Sequence, residues 1–237
     1  MNADMALGLI EETSSFSIQK TLKYLVDKFP GKVSFSTSFG MEDQVITDMI
    51  FSENLRIKLF TLDTGRHFEE TYKIHNRTLS QYDKKIRVYH PDRNKVEDLL
   101  TTKGPFSFYE SPENRKECCH IRKVEPLKRA LQGVDIWITG LRRSQSEHRE
   151  NLDKFVYDPD NQVIKYNPLL DWSLEQLKQY IKDHHVQYNI LHDRGFASIG
   201  CAPCTRAIKP DQDFRAGRWW WENNSTQECG LHASSND

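Results

Sequence analysis

Five cysteines are the residues best suited to chemistry in this sequence, and four of them form two close pairs. Cys118 and Cys119 are adjacent, whereas Cys201 and Cys204 have two residues between them. Four thiolates are the usual ligand set of an iron–sulfur cluster or a structural zinc. Zinc ligands are normally separated by about two to four residues, so the adjacent pair favours iron without settling the choice. A thioredoxin-like redox pair at Cys201 and Cys204 would leave the other two cysteines unexplained.

The fifth cysteine, Cys229, stands apart from these pairs. A thiolate is a competent nucleophile, and nearby cations lower the pKa of a thiol and so increase its thiolate fraction. The neighbouring Glu228 would act against this, so the cations would come from elsewhere, with Arg215, Arg218 and His232 as candidates. The alternative is a spare cysteine without a chemical role.

Polar loops follow three predicted strands and carry candidates for anion binding. The loop Ser36–Gly40 places hydroxyls and a glycine before a helix, where backbone N–H groups and the helix dipole suit an anion, although the Walker lysine is absent. Asp63 could bind a ribose hydroxyl or cap the next helix. Arg142 and Arg143 could bind phosphate or sulfate, or remain solvated surface charges. The candidate substrate-binding residues in these loops are Ser36, Thr37, Ser38, Gly40, Asp63, Gly65, Arg66, Arg142 and Arg143.

Composition limits the classes of partner. The 237 residues include 33 Lys and Arg against 34 Asp and Glu, for a net charge of −1. This balance argues against nucleic-acid binding, which usually needs a basic excess. The N-terminus has no basic start followed by an apolar core, and no apolar run has the length of a membrane helix. We therefore expect a cytoplasmic protein without a membrane or nucleic-acid partner, whose cysteines bind metal or catalyse rather than form disulfides.

The hydrophobic pattern alternates between strands and helices, which predicts an α/β fold with a parallel sheet flanked by helices. A hairpin is expected around Asp158–Asn161, and Ser173 with Gln176 forms a capping-box signature. Beyond about Leu191 the sequence becomes irregular and rich in Cys, Pro, Gly and Trp. Predicted strands are Val33–Phe35, Ile57–Leu62, Ile86–Tyr89, Asp135–Thr139, Lys154–Val156 and Val163–Tyr166; predicted helices are Ile18–Phe29, Met41–Phe51, Phe68–Leu79, Lys95–Leu100 and Leu174–Ile181.

From about Val33 to His232 the chain resembles the assimilatory adenylylsulfate reductases, thioredoxin-dependent members of the sulfonucleotide (PAPS/APS) reductase family. The matching segments are Ser36–Gly40 with Glu42 and Asp43, Leu62–Arg66, Cys118–Lys123, Gly195–Cys204, Gly217–Glu222 and Glu228–His232. The last three of them are together highly specific.

The resemblance implies an adenine-nucleotide α-hydrolase-like fold with a modified pyrophosphate-binding loop. It implies three regions: an N-terminal helical segment (1–30), a sulfonucleotide-binding domain with the iron–sulfur site (31–210) and a mobile tail (211–237) that carries the nucleophile. By the same resemblance, Cys118, Cys119, Cys201 and Cys204 bind one four-iron four-sulfur cluster. Lys123 links this cluster to the active site, and positive positions around the phosphosulfate are matched by Arg142, Arg143, Arg215 and Arg218.

The implied reaction begins with attack of Cys229 on the substrate sulfur, which expels AMP and leaves an S-sulfocysteine. Thioredoxin or glutaredoxin then releases sulfite. Both cysteine pairs favour adenylylsulfate over its 3′-phosphorylated form, although some cluster-bearing relatives accept both. Two other classes remain as alternatives: a tRNA-thiolating enzyme, which the neutral charge disfavours, and a metal-stabilised binding module without catalysis.

Overall fold

Six strands form one sheet in the computed structural model, which describes residues 1–145, 149 and 151–222. The order across the sheet is β3-β2-β1-β4-β6-β5, and every neighbouring pair is parallel except β5 with β6. The predicted parallel sheet and the predicted hairpin are both confirmed. The strands are β1 (Val33–Ser36), β2 (Lys58–Leu62), β3 (Arg87–Tyr89), β4 (Ile136–Ile138), β5 (Phe155–Asp158) and β6 (Val163–Tyr166).

Helices cover both faces of this sheet. Strand β4 shows the division, because Ile136 and Ile138 pack into one apolar cluster and Trp137, which points the other way, packs into a second one with Leu127. No helix in the described ranges is long and apolar enough to cross a bilayer. The helices are α1 (Ala3–Thr13), α2 (Ile18–Lys28), α3 (Met41–Ser52), α4 (Glu69–Tyr82), α5 (Arg93–Lys103), α6 (Pro112–Cys119), α7 (Glu125–Ala130) and α8 (Leu174–Asp183).

Helix α3 lies at the centre of the fold, directly after the hydroxyl-rich loop. Gly40 is its N-cap residue, and Asp43, Gln44 and Asp48 are buried together with the apolar residues of the helix. The parallel strand β1 ends at this loop, between β2 and β4. The carboxyl ends of these three strands therefore meet at one edge, where open α/β sheets bind their ligands.

Each predicted element is present, with ends that differ by a few residues. Helices α6 and α7 were not predicted, and α1 lies within the predicted N-terminal helical segment 1–30. Between α6 and α7 the backbone forms a π-helical turn over His120–Val124, in which the amide of Glu125 donates to the carbonyl of His120. Pro126 follows in the first turn of α7, where a proline is tolerated, and α6 has the sequence PENRKECC, which carries no apolar stripe to mark it as a helix.

The capping box of α8 provides a stability test. The Ser173 side chain accepts from the Gln176 amide while the Gln176 side chain accepts from the Ser173 amide. We expect Ser173→Ala to lower the free energy of unfolding by about 1 kcal/mol, measured by urea denaturation. Ser80→Ala is the control, because Ser80 is exposed inside α4 and caps no helix. An equal loss in both variants would contradict the capping role.

Candidate active site

A cavity opens at the carboxyl ends of β1, β2 and β4, the edge at which the sequence placed the ligand. Seven of the predicted site residues line it, and they come from the hydroxyl-rich loop, the turn after Cys119 and the irregular C-terminal part of the described chain. These residues are Ser36, Thr37, Ser38, Gly40, Lys123, Arg215 and Arg218. Cys229 and His232 lie outside the described residues.

The hydroxyl groups of the loop are used largely to shape the loop itself. Trp137 Nε1 donates to Ser36 Oγ over 2.8 Å, and the Phe39 amide donates to Thr37 Oγ1 over 3.1 Å. Both the amide and the hydroxyl of Ser38 donate to Asp43 Oδ2, at 2.5 and 2.7 Å. The loop is therefore tied down by internal bonds, which hold its backbone in place beneath the cavity.

Asp43 is the buried carboxyl on which this loop closes. Burial raises its pKa to about 7, with a further contribution from Glu42, while the two bonds from Ser38 act in the opposite direction. Gly140 packs directly against it, since a Cβ built on that glycine would lie 2.1 Å from Asp43 Oδ1. The end of β4 and the start of α3 can approach this closely because residue 140 has no side chain.

The two adjacent arginines after β4 pair with carboxylates, and neither lines the cavity. The Arg142 side chain is 3% exposed, and its Nε donates to Glu42 Oε1 over 2.8 Å. Arg143 Nε donates to Asp171 Oδ1 over 2.9 Å on the surface. Glu42 also accepts from Gln145, so Arg142 balances a buried carboxylate at the cavity wall. A phosphate-binding role for Arg142 and Arg143 stays a prediction that this arrangement does not favour.

The loop after β2 connects the sheet to the cysteines. Asp63 accepts from the Gly65 amide and the Tyr72 hydroxyl, at 2.8 and 2.9 Å, a local turn that stabilises the loop. Arg66 donates to the carbonyl of Pro105 over 2.6 Å and lies over the Phe108 ring. None of the predicted residues Asp63, Gly65 and Arg66 lines the cavity. Their contacts instead favour a structural role.

Both cysteine pairs meet beside this loop. Cys118 and Cys119 are the last two residues of α6. The Cys201 sulfur lies 3.3 Å from Thr64 Oγ1. Burial raises the pKa of Cys118, and the charge of Cys201 adds to the effect. Burial raises the pKa of Cys204 to about 12, with further contributions from Cys201 and Cys119. The four thiols are thus close enough to disfavour one another's ionisation.

Four neighbouring thiols match the ligand count of an iron–sulfur cluster and of a structural zinc. In the described ranges, no three or more Cys, His, Asp and Glu side chains are arranged to hold a single ion. A tetrahedral zinc binds each sulfur at about 2.3 Å and needs the four to converge on one point. An iron–sulfur cluster takes the same four cysteine ligands, so the identity of the metal stays a prediction. Coordinated metal also favours the thiolate form that burial disfavours here.

Cations surround the thiols. The Arg122 side chain is buried, its Nη1 donates to the carbonyl of Thr64 over 2.7 Å, and its charge lowers the pKa of Cys118. The charge of Lys123 likewise acts to lower the pKa of Cys204, and Lys123 also lines the cavity. Lys123 therefore lies between the thiols and the candidate ligand site. Lys116 and Arg206, also adjacent to cysteines in sequence, are exposed.

The irregular segment after Gly195 folds back over the cysteines. The Arg206 amide donates to the Gly217 carbonyl over 2.9 Å, and Thr205 forms a bridge with Arg218. Trp219 is 1% exposed, and its amide donates to the Cys204 carbonyl. The described part of the predicted tail, 211–222, thus packs against residues before position 210. The division of the chain at that position stays a prediction.

Several cavity residues were missed by sequence reasoning. Arg149 lies in the segment after β4, beyond the two predicted arginines, and His192 lies after α8; both line the cavity. Asp43 lies in a segment that the resemblance matched, and His67 follows Arg66, but neither was among the predicted site residues. Only the close approach of separate loops identifies these four side chains.

Comparisons with known proteins agree on one family. The phosphoadenosine phosphosulfate reductase domain matches residues 32–207. An adenosine 5′-phosphosulfate reductase of Neisseria meningitidis serogroup B is 45% identical over 230 residues, which cover 95% of this chain and 94% of the relative. A protein of the same name from Allochromatium vinosum is 48% identical over 200 residues, covering 84% of this chain and 78% of the relative.

Solved structures support the same fold. The crystal structure of a phosphoadenylyl-sulfate reductase from Candida auris, a phosphate complex, aligns with a TM-score of 0.74 at 30% identity, covering 88% of this chain and 98% of that one. An FMN adenylyltransferase from Candida glabrata, in complex with FAD and pyrophosphate, aligns at 0.54 with 18% identity, covering 92% and 81%. This second likeness concerns the fold alone.

The packing of Gly140 against Asp43 can be tested with a matched pair of variants. We expect Gly140→Ala to lower the free energy of unfolding by about 1–3 kcal/mol, because the added methyl group overlaps a buried carboxyl. Gly8→Ala is the control, since a Cβ there would meet nothing within 4 Å and the residue lies inside α1, where alanine is favoured. Urea denaturation of both proteins measures the difference. Equal stability of the two variants would refute the proposed close approach.

Proposed function

The chain belongs to the phosphoadenosine phosphosulfate reductase family, and from this premise we propose that it reduces adenosine 5′-phosphosulfate to sulfite and AMP, with thioredoxin as reductant. It is an oxidoreductase of a family that serves sulfate assimilation. The finer proposal is supported by relatives of that name which are 45–48% identical over most of their length.

One structural observation carries the proposal. Arg215, Arg218 and Lys123 line a cavity that adjoins the four thiols, at the strand ends where the fold binds nucleotides. Arg215 and Arg218 are buried, so their charges act through a medium of low dielectric constant. Guanidiniums suit the phosphate and sulfate oxygens of the proposed substrate. The same positive charge would stabilise the phosphate oxygen as it becomes the leaving group.

The proposed reaction has two steps, and Cys229 is the nucleophile of the first. Its thiolate attacks the substrate sulfur, a bond forms between the two sulfur atoms, and the bond from sulfur to the phosphate oxygen breaks. AMP departs with the electron pair, which leaves a sulfonate on Cys229. A thioredoxin thiolate then attacks the Cys229 sulfur and expels sulfite. The second thioredoxin thiol resolves the mixed disulfide, so that thioredoxin is oxidised by two electrons and Cys229 is regenerated.

We also propose that Cys118, Cys119, Cys201 and Cys204 hold one four-iron four-sulfur cluster. Support comes from the count of thiols, from their proximity and from the cations around them. When bound, the cluster would supply an electrostatic environment rather than pass electrons. Lys123 would extend positive charge from the cysteines to the cavity. A cytoplasmic location is proposed with it, because thiols remain reduced there.

The covalent step tests the function. The wild-type protein incubated with adenosine 5′-phosphosulfate should gain one sulfonate group on Cys229 by mass spectrometry, and thioredoxin should remove it as sulfite. Cys229→Ser should form no adduct and no sulfite while AMP binding stays within about twofold, because a hydroxyl is a far weaker nucleophile than a thiolate. An active Cys229→Ser protein would overturn the proposal. Glutaredoxin is the alternative reductant in the second step.

Metal analysis tests the cluster. Anaerobically purified protein should be brown and contain about four iron and four sulfide per chain. We expect Cys119→Ser to lose most of this iron because one ligand is removed. Cys229→Ser should retain all of it, which makes that variant the matched control. Colourless protein with one zinc per chain would contradict the cluster and leave the covalent step to be judged on its own.

A further inference from the structure

One buried tryptophan adopts a backbone conformation that a bulky residue seldom takes. Trp219 has a φ of +45°, in the left-handed region that disfavours side chains with a Cβ. It is nevertheless fully enclosed, and neither the proposed nucleophile nor the thiols require an indole at this position. Such outliers persist only where the surroundings hold them, and they cluster at functional sites.

Three guanidiniums surround the Trp219 ring. The central carbon of Arg115 lies 4.5 Å from a ring centroid, that of Arg218 lies 5.0 Å away and that of Arg215 lies 5.9 Å away. Guanidiniums favour the face of an indole, so the ring gives each of them a preferred position. Arg215 and Arg218 also line the cavity, whereas Arg115 belongs to α6, the helix that ends with Cys118 and Cys119. The ring therefore connects that helix with the cavity.

A buried ion pair anchors this arrangement. Arg115 Nε donates to Glu222 Oε1 over 2.6 Å, and the two side chains are only 8% and 9% exposed. The Glu222 amide donates to the Trp219 carbonyl over 2.9 Å, closing a turn over residues 219–222. Glu222 thus holds both the backbone of the turn and the guanidinium on one side of the ring. Three cations around one ring repel one another, and Glu222 compensates one of them.

We propose that Glu222 is a positioning residue: through Arg115 and Trp219 it orients the guanidiniums of Arg215 and Arg218 towards the anionic group of the ligand. The inference rests on the proposed function, since those arginines are taken to meet phosphate or sulfate. Further support comes from Gly200, where a Cβ would lie 2.4 Å from the Arg218 guanidinium. Gly200 therefore packs directly against the Arg218 guanidinium and leaves no room for a side chain between them. The orientation of Arg218 depends on the ring staying in place.

The proposal is tested by comparing AMP, which carries a phosphate, with adenosine, which does not. Glu222→Gln removes the charge with little change of shape. We expect it to raise the Kd for AMP about 10-fold, the scale of a weakened charge-assisted bond, and to leave the Kd for adenosine within about twofold. Titration calorimetry measures both. A role confined to stability would lower Tm and leave the two affinities in their wild-type ratio, which would overturn the proposal.

Glu117→Gln is the matched control. Glu117 lies on α6, the helix that carries Arg115, and it pairs with Lys103 at 2.6 Å. Its side chain is 41% exposed, so this ion pair lies on the surface. The same substitution should therefore leave both affinities unchanged. A loss of AMP affinity in Glu117→Gln equal to that in Glu222→Gln would also overturn the proposal.

Two more variants keep the test open should Glu222→Gln fold poorly. Arg115→Lys keeps the cation but loses the planar group over the ring, and it should weaken AMP selectively. Trp219→Phe keeps an aromatic face and should fall between wild type and Trp219→Leu in AMP affinity. Equal weakening of AMP and adenosine in these variants would refute the inference. Wild-type protein that fails to bind AMP would instead refute the proposed function, so the two failures are distinguishable.

Discussion

Positive charge held against buried thiols is the interaction on which this end of the molecule depends. Burial disfavours the ionised forms of Cys118 and Cys204, and the neighbouring cysteines add to the effect. Arg122 and Lys123 act in the opposite direction, and both come from the turn directly after Cys119. The π-helical turn brings Arg122 to the carbonyl of Thr64 in the loop after β2, and it brings Lys123 to the cavity.

The same principle of compensated burial organises the cavity wall. Arg142 is enclosed because Glu42 accepts from it, and Asp43 is enclosed because Ser38 donates to it twice. These groups would be costly to bury alone, since an unpaired ion loses its hydration without any compensating interaction. Of the predicted cations, Lys123, Arg215 and Arg218 line the cavity, and Arg149 lines it as well. An anionic ligand is the natural complement.

The described segment 195–222 connects the cysteines with the cavity wall. Within this segment the Trp219 amide donates to the Cys204 carbonyl. The Trp219 ring contacts Arg115, and Arg215 and Arg218 line the cavity. A loop-rich stretch of this kind has little secondary structure to hold it, so its order comes from buried side chains: the Trp219 indole and the pair of Arg115 with Glu222. The thiols and the cavity consequently share one set of supports.

Local spacing and short motifs were enough to predict the sheet, the hairpin, the α8 capping box and the family. They did not reveal α6, which has no apolar stripe, or α7, which spans only six residues. Which of the four arginines predicted around the phosphosulfate line the cavity could not be read from the sequence: Arg215 and Arg218 do, and Arg142 and Arg143 do not. Arg142 and Arg143 follow a strand end as a phosphate-binding pair would, yet each lies opposite a carboxylate from a distant element. Arg115 shows no signal in the sequence, since its partner Glu222 is 107 positions away and charges so distant become neighbours only when the chain folds.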